Sequence, residues 1–240
     1  VIVAGGIFLG ENALRMYHNP PPPKHFGERV EIRAADGVPL VASWFPSRDP
    51  ARPAVIVLHG VGDTRVGMGG IVQLLQRHDY AVLAPDSRAH GESGGGIFTF
   101  GLREVDDVHR WAQWVGNRHL YGLGASMGAG ILLQTIGRYN DFRAVVAESP
   151  FASFRRIADY RVGQQVGFVA PAFVEVGFLY ARFKYGFSLD DASPLKFIAK
   201  AKTPVLLIHG TADDNIPIEH TRLLAAANPA VQAWAVPGGG

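Results

Sequence analysis

Residues 120–135, Leu-Tyr-Gly-Leu-Gly-Ala-Ser-Met-Gly-Ala-Gly-Ile-Leu-Leu-Gln-Thr, read as a short apolar strand, a tight turn and the start of a helix. Inside this stretch Gly124-Ala125-Ser126-Met127-Gly128 has the G-x-S-x-G spacing in the strand–turn–helix setting that the pattern requires. So sharp a turn leaves no room for a side chain at either glycine, and its strained backbone would thrust the Ser126 hydroxyl outward. The helix that follows would aim its first amides at negative charge forming nearby. A rival reading is Gly122-x-Gly124-x-x-x-Gly128, a loop for a dinucleotide phosphate. Against it, the loop stands late in the chain, and only Glu148, followed by Ser149-Pro150, could serve as the ribose-binding acid. A third reading is a structural glycine turn with a surface serine.

Outward from this turn the chain alternates between short apolar runs and helix-length stretches. The runs are 54–58, 80–84, 120–123, 144–147, 205–208 and 231–236. Wholly apolar runs of this length suit strands covered on both faces, and their alternation with helices predicts a mainly parallel sheet with right-handed crossovers. Leu102, Val105, Val108, Ala112 and Val115 fall on one helical face, with Arg103, Glu104, Asp107 and Arg110 off it. Residues 28–46 read as an antiparallel hairpin with Asp36-Gly37 at its turn. The expected fold class is therefore α/β, with an insertion rich in Phe, Tyr and Gly at about 155–190.

The 240 residues fit one domain of ordinary size, and 48% hydrophobic residues with a net charge of +2 permit a large core. No Lys/Arg run marks a nucleic-acid footprint. The absence of cysteine excludes disulfides, thiolate metal sites and a cysteine nucleophile. No H-E-x-x-H or carboxylate cluster calls for a metal, and no cofactor is expected.

Three further motifs follow strands: Leu58-His59-Gly60-Val61-Gly62, Asp86-Ser87-Arg88-Ala89-His90-Gly91-Glu92-Ser93 and His209-Gly210-Thr211-Ala212-Asp213-Asp214-Asn215-Ile216-Pro217. With the serine turn they make the chain resemble the α/β-hydrolase superfamily, in its serine esterase or lysophospholipase-like branch, from about residue 28 onward. The resemblance implies a mostly parallel twisted sheet flanked by helices, an N-terminal antiparallel hairpin and a lid-like insertion. It implies Ser126 as nucleophile, Asp213 as the triad acid, and the Met127 and Val61 amides as the oxyanion hole. His59 and His90 are then loop supports rather than catalytic groups. Asp214 and, less well, Glu148 are the alternative acids.

The resemblance also implies a catalytic histidine after the last strand. Here that strand runs into Pro237-Gly238-Gly239-Gly240, so the histidine is expected just after Gly240. His220 lies on the helix-like stretch 219–227 and is not expected to reach Ser126. Without a base the chain as written is expected to be nearly inactive. The implied reaction is ester hydrolysis through an acyl-enzyme, on a small-molecule ester or lipid-like substrate. A thioesterase or peptidase using the same groups, or a non-catalytic pseudohydrolase that binds without reacting, are the alternatives.

Two segments carry expectations about surroundings. In the insertion, Phe168, Phe173, Phe178, Tyr180, Phe183, Tyr185 and Phe187 either line a site for an apolar group or bury against the domain. The expected division is 1–23, an apolar segment with a Pro20–Pro23 spacer, and 24–240, the catalytic domain. Residues 1–10, Val-Ile-Val-Ala-Gly-Gly-Ile-Phe-Leu-Gly, are too few to span a bilayer. They are expected to be the tail of a longer membrane anchor or signal segment, with a short helix packed on the domain as the other reading. The chain is expected to be truncated at both ends.

Overall fold

The run 54–58 forms β3 (Ala54–Leu58), fully buried on both faces near the middle of an eight-stranded sheet. A computed structural model describes residues 1–15, 17, 26–116 and 119–240; the Pro20–Pro23 spacer lies outside them. The strand order is β1-β2-β4-β3-β5-β6-β7-β8. β1 (Glu28–Arg33) and β2 (Pro39–Phe45) form the expected antiparallel hairpin around Gly37, whose positive φ of 82° suits a residue without Cβ. β2 then pairs antiparallel with β4 (Ala81–Pro85). β3, β4, β5 (Leu120–Ala125), β6 (Ala144–Glu148), β7 (Val205–Gly210) and β8 (Gln232–Val236) are parallel to one another. The chain thus has the mostly parallel sheet, flanking helices and N-terminal hairpin of the α/β-hydrolase fold.

Of the flanking helices, α2 (Gly69–Arg77) follows β3, α3 (Glu104–Val115) follows β4 and α4 (Met127–Thr135) follows β5. Every residue of α4 is buried, which is why its sequence shows no polar face. On α3, Val105, Val108 and Ala112 face the core as their spacing predicts. Glu104 and Asp107, which that spacing leaves off the apolar face, are buried as well. They turn inward because Arg88 is buried beside them: its guanidinium meets both Asp107 oxygens at 2.7 Å.

The insertion consists of α5 (Phe154–Val166), a 3₁₀ turn at 167–169 and α6 (Ala170–Tyr185), followed by α7 (Pro194–Ile198) before β7. Ser153 caps α5 by accepting the Arg156 N–H. The apolar N-terminal run forms α1 (Ile2–Leu14), which packs on α6. Their seam is lined by glycine. A Cβ on Gly10 would stand 3.0 Å from the Gly177 carbonyl oxygen, and one on Gly6 only 2.8 Å from that of Phe173. Glu11 fastens the seam by accepting hydrogen bonds from Lys184, Tyr180 and, at 2.9 Å, Tyr185. α8 (Glu219–Ala227) covers β7 and β8.

Candidate active site

β5 ends at Ala125 and α4 begins at Met127, so Ser126 alone makes the turn, at φ 52° and ψ −112°. Such a conformation costs a non-glycine residue about 1–3 kcal/mol and is held only by its surroundings. Those surroundings are specific. The Ser126 N–H donates to the Glu148 carbonyl at 2.8 Å, and its own carbonyl accepts the Gly130 N–H at 3.0 Å. A Cβ on Gly124 would lie 2.5 Å from the Gly128 carbonyl carbon, and one on Gly128 would lie 2.5 Å from the Leu58 oxygen. Both motif glycines are therefore required by backbone contact. Met127 opens α4, so its N–H has no acceptor within the helix.

Gly60, Val61 and Gly62 follow β3 and lie alongside the turn. A Cβ on Gly60 would stand 3.5 Å from the Ser126 Cβ. Two buried histidines brace this loop. His59 Nε2 accepts the Ser87 N–H at 3.0 Å, so by network its Nδ1 carries the proton and donates to the Gly60 carbonyl at 2.7 Å. His90 Nε2 accepts the Gly62 N–H at 3.3 Å, and its Nδ1 donates to the Arg88 carbonyl at 3.0 Å. Burial pushes the His59 pKa below the ordinary imidazole value, consistent with a neutral ring. The segment 86–93 is anchored in turn: Asp86 accepts the amides of Arg65 and Glu92 and pairs with the Arg65 guanidinium. Both rings thus serve as loop supports, as expected.

Asp213 stands on the loop after β7. Burial opposes its charge, but the Ile216 and Asn215 amides (2.9 and 2.8 Å), the Ser149 hydroxyl and nearby His209 together hold its pKa below the usual carboxylate value. Asp214 beside it is exposed, as is Glu148. His209 is fully buried and holds the loop through Thr221 Oγ1 and the Ile216 carbonyl, each at 2.7 Å. His220 is buried behind the site, where its Nδ1 accepts the Ala152 N–H at 2.9 Å. Burial, Arg156 and His209 lower its pKa to about 4, so it stays neutral.

Ser126, Met127, Val61, Asp213 and Gly240 all line one cavity of about 550 Å³, which His220 does not reach. They come from the carboxyl ends of β3, β5, β7 and β8, where open α/β sheets place their ligands. Gly240 is fixed at its place: the Ala212 N–H donates to the Gly239 carbonyl at 2.8 Å, and a Cβ on Gly240 would lie 3.0 Å from the Ala212 oxygen. The remaining wall is mostly apolar, with Tyr17, Ser149, Arg161 and Asn215 as its polar members. Phe100, Phe154 and Phe178 line it, as do Leu9 and Ala13 of α1. Of the seven aromatic side chains singled out in the insertion, only Phe173 and Phe178 line it; Phe168 and Phe183 are 96% and 93% exposed.

Among the lining residues that carry no motif, three stand out by their geometry. Ser149 sits at φ 45° just after β6 and reaches Asp213; only the end of the strand could have pointed to it. Phe100 sits at φ 53° in a loop held by buried Glu104, which accepts the Thr99 and Gly101 amides at 2.7 Å. The third, Tyr17, stacks on the His90 ring, with centroids 5.3 Å apart. Among the described residues no group of three or more acidic, histidine or cysteine side chains is placed to hold a metal ion.

The model of the alpha/beta hydrolase fold family matches residues 53–189. The chain is 30% identical to YqkD of Bacillus subtilis over 177 residues, 71% of this chain and 58% of that protein. It is 28% identical to YfhR of Escherichia coli K12 over 241 residues, 93% of this chain and 78% of that protein. Among solved structures it resembles the Pyrococcus furiosus esterase Pf2001 with a TM-score of 0.71 and 24% identity, over 94% of this chain and 90% of that one. Est1E of Butyrivibrio proteoclasticus, solved with ferulic acid bound, gives a TM-score of 0.67 at 17% identity, over 87% and 89% of the two chains. With the matched family model covering more than half its length, the chain belongs to the alpha/beta hydrolase fold family.

Proposed function

We propose that this chain is the body of a serine hydrolase that cleaves carboxylic esters of apolar acids through an acyl-enzyme on Ser126. One observation carries the reading: the strained Ser126 turn opens into the same apolar cavity as Asp213 and Gly240. Ser126 Oγ attacks the ester carbonyl carbon and passes its proton to a base. The tetrahedral oxyanion is met by the Met127 and Val61 amides, fixed donors that need no reorganisation. The C–O bond to the leaving alcohol then breaks as the base returns the proton to it, and water releases the acid by the same steps in reverse order. Asp213, held ionised, orients the base and stabilises its cation.

The base belongs at the position after Gly240, a residue that lines the cavity beside Ala212 and Asp213. The test is to append one histidine to Gly240 and compare p-nitrophenyl ester hydrolysis with the chain as it stands. A gain of about a thousandfold or more is expected. Fluorophosphonate should label the extended chain at Ser126 and not label Ser126→Ala. A folded, extended chain that neither turns over nor is labelled would refute the reading in favour of a binding protein. Turnover of thioesters or peptides in preference to oxygen esters would keep Ser126 and change the leaving group; one relative, the Bacillus subtilis protein described as uncharacterized peptidase YuxL, is 26% identical over 83% of this chain and 32% of that protein.

A further inference from the structure

We infer that the ester taken by this site carries an anion, a carboxylate or a phosphate, on its alcohol part, and that Arg161 binds it. The alcohol assignment rests on the hydrolase reading; the anion site itself does not. Among the described residues the cavity wall holds two charged side chains, Asp213 and Arg161. Asp213 is already met by the Asn215 and Ile216 amides and by the Ser149 hydroxyl. Arg161, on α5, donates one hydrogen bond, from Nη1 to Asn215 Oδ1 at 2.5 Å. No ion pair joins it to a carboxylate among the described residues. Arg155, on the same helix, is by contrast spent on Asp190 and Glu175. A guanidinium is a planar fork of N–H donors suited to carboxylate and phosphate, and most of this fork remains open.

The surroundings hold this fork in place and give the cavity two unlike ends. Tyr160 and Gln164, also on α5, donate to the Asp214 carbonyl at 3.3 and 3.5 Å, so the helix is tied to the loop beside Arg161. Asn215 Oδ1 faces Arg161, which leaves its Nδ2 donors for a ligand in the cavity it lines. At the other end of the wall, Phe154 stacks with Phe100 and Phe178. Arg161 stands about 10 Å further along the same helix. A neutral or wholly apolar ligand would cover the guanidinium without replacing its water, at a cost, whereas an anion replaces that water with charge-assisted hydrogen bonds. The acid chain therefore belongs among the aromatic rings. The alcohol belongs at the Arg161 end: Asn215 lies two residues after Asp213, which orients the base, and the base hands its proton to the leaving alcohol.

Calorimetric titration of the chain as it stands tests the anion site. Undecanoate and decyl phosphate are the charged probes and undecanamide the neutral one. At least one charged probe should bind about tenfold more tightly than undecanamide, by a margin that shrinks as salt is raised. The tighter of the two names the anion. In Arg161→Gln the preference for charge should fall about tenfold, and Arg161→Lys should keep part of it. Arg161 is exposed, so both variants are expected to fold. Equal affinity for charged and neutral probes would overturn the anion site. So would a preference that survives Arg161→Gln, which would reduce Arg161 to a tie between α5 and the loop. The alcohol assignment is read on the chain extended by one histidine. There the decanoyl ester of 4-hydroxybutanoate should exceed that of 4-hydroxybutanamide in kcat/KM by about tenfold, through KM, and Arg161→Gln should erase the ratio. A preference instead for the charge at the far end of the acid, in the 4-hydroxybutanamide monoester of decanedioate, would overturn the alcohol assignment. If the extended chain cleaves none of these esters while the binding preference stands, the hydrolase reading falls together with the alcohol assignment, and the anion site remains.

Discussion

The segment 86–93, which braces the loop beside Ser126, and the α1–α6 pair, which walls the cavity, are held by different forces. The first is a mesh of buried charge: Asp86 with Arg65, and Arg88 with Asp107, Asp36 and Glu104. Such pairs tolerate little displacement, because each partner is costly to leave alone in a low-dielectric interior. The second is a seam of bare glycine backbone with one carboxylate clamp, whose contacts are short in range and without direction. The stiff half braces the loop carrying Val61, through His90 and His59. The smooth half offers only an apolar wall. Geometry that must be kept is fixed by ion pairs and hydrogen bonds, while space for a variable apolar group is bounded by packing.

The sharpest way to break this contrast is Arg88→Ala. It leaves Asp107 buried without its bidentate partner and should cost about 3–5 kcal/mol, read as a lowered denaturation midpoint with an unchanged m-value. A loss below 1 kcal/mol would mean that the mesh is not what stiffens this half. On the other half, Gly177→Val should be milder, since its Cβ would meet the Gly6 oxygen at 3.0 Å across a seam that can open. We expect about 1–3 kcal/mol, together with faster proteolytic cleavage near residues 1–15. Unchanged proteolysis would show that α1 is not held by that seam.

Between the halves, Ser126→Gly should raise stability by about 1 kcal/mol over Ser126→Ala, because glycine accepts φ 52° without strain. Equal melting temperatures for the two variants would mean that the turn stores no strain.

The smallest effect is one of pH. The Lys184 and Tyr180 hydrogen bonds lower the Glu11 pKa from 4.5 to about 2. A carboxylate with a depressed folded pKa contributes stability that is complete above its unfolded value and is lost as pH falls through the folded one. The α1 clamp should therefore hold above about pH 4.5 and weaken progressively toward pH 2, seen as rising hydrogen exchange in residues 1–15. In Glu11→Gln that rise between pH 4.5 and 2 should vanish. A rise that persists would place the sensitivity in another group.

The elements with local causes were legible in the sequence. The Ser126 turn is written in two glycines whose missing side chains are required within a few residues, and the hairpin in Asp36-Gly37. The apolar runs gave the strands because a parallel sheet buries both faces, and α8 matched 219–227. What the sequence hid was long-range. Glu104 and Asp107 look like solvent-facing residues of α3 until Arg88, from a separate loop, arrives beside them. The run 1–10 has the composition of a membrane segment, yet Gly6 and Gly10 also fit the small face offered by Gly177, and no local pattern separates those uses. Ser149 belongs to the cavity only because β6 ends beside β7, where its hydroxyl meets Asp213.

Gly210 has a consequence for how this chain is handled. Its bare Cα lies against Gly239, so the segment 238–240 is stitched edgewise to the loop bearing Asp213. An affinity tag or fusion joined directly to Gly240 would begin on the cavity wall, where its first side chain would meet whatever ligand the cavity holds.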